Sequence, residues 1–125
     1  MKPNVLIVTD DEVTEELARV ILEPYARVVV ARSIAGAMRE LRSYPDFAYI
    51  TLSGHAPQDD NLPRRHNDTT LLLARHILIF YSHIPTYAAA SDNCVNEALI
   101  KIGCLPSPRF DVFLKIKEKL ETKIP

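Results

Sequence analysis

The chain has 125 residues, of which 47 % are hydrophobic and 25 % charged, and a net charge of -1. That is the size and balance of a single domain, residues 1–125, with a real core. It lacks the basic surplus of a nucleic-acid or acidic-membrane binder. Cys94 and Cys104 form no CxxC pair and read as reduced thiols of a cytoplasmic protein. No apolar stretch nears the length of a membrane span, and acids end the first apolar run too soon for a signal peptide.

Val5–Glu12, VLIVTDDE, is an apolar run closed by Asp10 and Asp11. Four consecutive apolar residues predict a strand covered on both faces, as in a parallel sheet. Val13, Leu17, Val20 and Ile21 follow at helical spacing, with Glu12, Glu15 and Glu16 in the early turns, where the helix dipole favours acids. Pro24 stops that helix. Arg27–Ala31, RVVVA, is β-branched and predicts the second strand. Ser33 caps a helix whose buried face is Ile34, Ala37, Met38 and Leu41. Tyr44-Pro45 ends it, and Phe47–Leu52 predicts the third strand.

Ser53–Asn67 holds Gly54, Pro57, Pro63 and scattered His and Asp without periodicity. A loop this long in a small domain is expected at the surface, over the strand ends, with Asp59 and Asp60 in solvent. Asp68 or Thr69 then caps a short helix through Leu71–Ala74 that His76 closes. Ile77–Tyr81, ILIFY, predicts the fourth strand, and Ser82–Ala90 a second loop at the same sheet edge. Ser91 caps a helix with Val95, Ala98, Leu99 and Ile102, and Gly103 ends it. Cys104-Leu105 leaves room for a short fifth strand. Ser107-Pro108 opens a last helix that buries Val112, Phe113, Ile116 and Leu120.

Strict β-α alternation implies right-handed crossovers, so the expected fold is α/β and flavodoxin-like. It is a three-layer sandwich around a five-stranded parallel sheet of order 2-1-3-4-5. Such sheets carry ligand chemistry past the carboxyl ends of their strands, where Asp10 and Asp11 fall.

In element order and in VLIVTDDE the chain resembles a CheY-like response-regulator receiver domain. The resemblance implies an acid pair for a divalent metal, met by Asp10 and Asp11. It also implies an aspartyl phosphoacceptor ending the third strand, a position that falls at Thr51, or at Ser53 if the register slips. The hydroxyl after the fourth strand is matched by Ser82, and the lysine after the fifth reads Ser107. A neutral hydroxyl needs a base to become a nucleophile and holds a hard cation less well than a carboxylate. Losing the lysine removes charge that would offset a phosphoryl group. Thr51, Ser82 and Ser107 thus outline a degenerate phosphorylation pocket. No catalysis and no cofactor are expected, and magnesium binding at Asp10 and Asp11 should be weak. The resemblance then implies a pseudo-receiver in two-component signalling. Such a module would meet a protein partner, or a second copy, through its fourth and fifth helices.

A rival reading rests on His55 and His83, each just past a predicted strand end. YSHIP, Tyr81–Pro85, is similar to a receiver-related family that processes cyclic phosphates, although most of that family's polar set is missing. The rival is a metal-assisted phosphoesterase acting on a cyclic phosphate or nucleotide through Asp10, Asp11, His55 and His83.

Overall fold

The computed structural model describes residues 2–44, 46–63, 68–107 and 111–122. Its elements are β1 (Asn4–Val8), α1 (Glu12–Leu22), β2 (Arg27–Ala31), α2 (Ile34–Ser43) and β3 (Tyr49–Leu52). Then follow α3 (Leu71–Phe80), β4 (Thr86–Ala88), α4 (Asn93–Ile102), β5 (Leu105–Pro106) and α5 (Asp111–Thr122). The strands of the sheet pair in parallel in the order β2-β1-β3-β4-β5, as the alternation predicts, and outside the sheet His55 and Thr69 form an isolated antiparallel bridge.

Side-chain alternation along β1 builds the three layers. Leu6 and Val8 face one side, with Ala37 and Leu41 of α2, Leu73, Ala74 and Ile77 of α3, and Leu99 of α4. Val5 and Ile7 face the other, with Ala18 and Leu22 of α1 and Val112, Phe113 and Ile116 of α5. Each large side chain taken out of water here contributes about 1.5–3 kcal/mol. Three helix starts carry side-chain caps, whereas α3 starts after Thr70, past the expected Asp68 or Thr69, with no side-chain cap bond. Asp11 caps α1, Ser33 caps α2, and Asp92, one residue past the expected Ser91, caps α4 through the amides of Cys94 and Val95. Gly103 closes α4 at φ 131°, a left-handed conformation that costs glycine little. Cys94 is exposed and Cys104 buried, with burial pushing the Cys104 thiol up to about 11. The Pro108 start of the last helix and His66 lie outside the described residues.

The fourth strand is displaced from its expected place. ILIFY is not a strand: α3 runs on through it to Phe80, and β4 is Thr86–Ala88. A short apolar run fits a buried strand or a buried helix equally well. Only one side of this helix is buried. Leu73, Ala74 and Ile77 are in the core, while Leu72, Ile79 and Phe80 stand 76, 70 and 66 % exposed. The true strand opens on Thr86 and Tyr87 but runs into three alanines, which carry little strand signal.

The long loop also departs from expectation, because its first part is structural. Ala56 is fully buried. The carbonyls of Pro57 and Gln58 accept from the amides of Ile34 and Ala35 at 2.9 and 3.0 Å, satisfying two otherwise unpartnered donors at the start of α2. Asp60 is not simply solvated. It accepts from the Ser33 hydroxyl at 2.6 Å and pairs with Arg39 at 2.5 Å. The Ser33 hydrogen bond first, then Arg39, holds its carboxyl below the usual range.

Candidate functional site

The carboxyl ends of β1 and β3 converge on a cleft of about 70 Å³ lined by Thr9, Asp10, Asp11, Thr51, Ser53 and His55, among others. Sheet register assigns each position. Val8 pairs with Leu52, and the Ser53 amide donates to the Val8 carbonyl at 3.0 Å, so Ser53 is level with Thr9. Ser53, the residue just past β3, is the position the resemblance gives the acceptor if the register slips by two from Thr51. Thr51 sits two residues deeper, in mid-strand and 2 % exposed. The Ser53 hydroxyl is already engaged. It donates to the Val8 carbonyl at 2.9 Å, with the His55 carbonyl at 3.2 Å. A neutral hydroxyl so held needs a base to become a nucleophile.

The acid pair is real in position but divided in role. Thr9 is buried, and its Oγ1 accepts from the Asp11 amide at 3.1 Å. Asp11 turns back onto α1, accepting from the Thr14 hydroxyl at 2.5 Å and the Thr14 amide at 3.3 Å. Its carboxylate does a helix cap's work. Asp10 is exposed at the cleft rim. In the first turn of α1, Glu15 is held below the usual carboxylate range. Its hydrogen bond to Arg32 is the main cause, opposed by partial burial and helped by Arg19. Asp11→Ala is expected to cost about 1 kcal/mol, whereas Asp11→Asn, which caps as well, is expected to cost far less. Thermal unfolding of the two variants checks this.

The remaining positions move with β4. Leu52 pairs with Ala88, and the Ala89 amide donates to the Leu52 carbonyl at 2.9 Å. The residue level with Ser53 on the fourth strand is thus Ala89, which has no hydroxyl. Ser82 is placed instead in the loop between α3 and β4, at the opposite, amino edge of the sheet. His83 lies in the same loop and is exposed. Pro106 pairs with Ala88, which makes Ser107 level with Ala89. Ala89 carries no signal in the sequence. A short strand of small residues hid it, and only the register with β3 finds it.

These placements break up the phosphoesterase set. His55 joins Asp10 and Asp11 at the cleft, but His83 is across the sheet from them. The cleft is smaller than the about 300–1,000 Å³ usual for small-molecule sites, although Asp10 also lines a neighbouring cavity of about 600 Å³ with Arg32, Arg39 and Asp60. Of the groups at the cleft, one carboxylate caps a helix and Ser53 offers a neutral hydroxyl. Among the described residues no group of three His, Cys, Asp or Glu is arranged to hold a metal, and no helix is long and apolar enough to cross a membrane.

No protein-family model matches the chain, and no curated protein does. Solved structures do. A response regulator from Thermotoga maritima superposes with a TM-score of 0.73 at 17 % identity, covering 98 % of this chain and 100 % of that one. A CheY-like receiver domain protein from Methanospirillum hungatei JF-1 gives 0.72 at 17 % identity, covering 98 % and 96 %. The non-phosphorylated HemR receiver domain from Leptospira biflexa gives 0.72 at 21 % identity, covering 99 % and 98 %. At such identities the likeness shows the fold: this chain is built as a response-regulator receiver domain is built.

Proposed function

We propose that this chain, folded as a receiver domain, is a pseudo-receiver: a cytoplasmic signalling module that binds a protein partner and is not switched by aspartyl phosphate. The observation that carries the reading is Ser53. It occupies the acceptor position with a neutral hydroxyl already donating to the Val8 carbonyl. Ala89 and Ser107, level with it on the next two strands, carry no hydroxyl and no cation respectively, and the nearest hydroxyl past the fourth strand that lines the cleft is Ser91, two residues beyond Ala89. The frame that would position phosphoryl chemistry is kept, while among the described residues the three positions level with one another at its strand ends carry Ser53, Ala89 and Ser107.

Calorimetric titration with magnesium and manganese tests the reading. With Asp11 committed to its cap, saturable binding is expected only above about 10 mM, because few charged oxygens offset dehydration of the ion. Sub-millimolar binding, abolished by Asp10→Asn, would contradict it.

A further inference from the structure

An open groove of about 790 Å³ runs between α3 and α4, lined by Leu71, Leu72, Leu78, Ile79 and Ile102 together with Arg75 and Lys101. Leu72 and Ile79, seven residues apart on one helix stripe, are 76 and 70 % exposed. The core does not need them, since α3 buries Leu73, Ala74 and Ile77 on its other side. Contiguous large aliphatic side chains left in water mark interaction surfaces.

The charge on this groove has one sign. Arg75 and Lys101 are both exposed, no carboxylate lines the groove, and among the described residues neither cation makes an ion pair. We propose that the α3–α4 groove docks an amphipathic helix of a partner protein, one whose apolar stripe is bordered by Asp or Glu. A groove between two helices accepts such a stripe at i, i+3, i+4 and i+7. Carboxylates beside the stripe would meet Arg75 and Lys101. A second copy offering the same face would set these cations against their equivalents, which disfavours self-pairing. The inference rests on the interaction-module reading and moves the partner to α3 and α4, away from the α4–α5 face that the resemblance implies.

Two designed helical peptides with one leucine stripe, bordered by Glu in one and Lys in the other, test it. Each is titrated into the isotope-labelled protein, following amide spectra and fluorescence anisotropy. The Glu peptide is expected to bind saturably, shifting α3 and α4 amides, and at least about tenfold more tightly than the Lys peptide. Leu72→Ser with Ile79→Ser should abolish binding without lowering the unfolding midpoint, and Arg75→Glu with Lys101→Glu should reverse the preference. Equal affinities or no saturable binding would overturn the proposal. So would self-association in sedimentation that the double serine variant removes, which would assign the face to a second copy. Shifts confined to β5 and α5 would overturn the groove and leave the interaction module standing. A magnesium-dependent phosphoryl adduct would overturn the module reading whatever the peptides do.

Discussion

Ile77→Asp is expected to lower the unfolding free energy by about 4 kcal/mol or more, enough to unfold a marginally stable domain. Ile79→Asp is expected to change it by less than about 0.5 kcal/mol. The contrast follows from helical geometry. Ile77 is fully buried between α3 and the sheet, and a carboxylate there would lose its water with nothing to pair it. Ile79 points to solvent two residues later. Were ILIFY a strand, residues 77 and 79 would share one face, and the two substitutions would behave alike. Urea unfolding of both variants decides it. Similar losses for the two would contradict the helix and restore the strand.

Replacing residues 56–60 with a Gly-Ser segment of equal length is expected to destabilise the domain by about 2–4 kcal/mol. The replacement removes buried Ala56, the fixed φ of Pro57 and the Asp60 bonds to Ser33 and Arg39. It also loosens the carbonyls that satisfy the first amides of α2. The exposed Asp60–Arg39 pair alone contributes at most about 1 kcal/mol. The expected loss therefore comes mainly from the loop backbone and its fit over α2. Gly54, just upstream, is fixed by a different neighbour: a Cβ there would meet Ala90 Cβ at 2.8 Å and Val95 of α4 at 3.1 Å. A replacement variant that unfolds at the parent midpoint would show the loop to be merely tolerated.

The frame of the domain was legible because most elements carry two agreeing signals. RVVVA is both β-branched and bounded by turns, and its limits, Arg27–Ala31, match the structure. Ser33 precedes a clear apolar stripe and caps α2 as read. The third quarter of the chain was misread because those signals conflict. Outward-facing Leu72, Ile79 and Phe80 erase the helical periodicity of α3 that would have betrayed it, and β4 is too short and too rich in alanine to announce itself. That one displacement carried Ser82 and His83 to the wrong edge of the sheet. It also concealed Ala89, whose place depends on strand register, a property of pairing between distant segments. The division of the acid pair was hidden for a similar reason. Adjacent carboxylates look alike in sequence, and only the direction of the Asp11 side chain reveals it as a cap.

The central claim, that the receiver frame here carries no phosphoryl switch, is tested most directly by incubating the protein with beryllofluoride or a small phosphodonor plus magnesium. Intact mass and amide spectra are recorded before and after. The account predicts an unchanged mass and no displaced amides around Ser53, Ala89 and Ser107. A magnesium-dependent adduct, or large shifts at those three residues that Ser53→Ala removes, would contradict it.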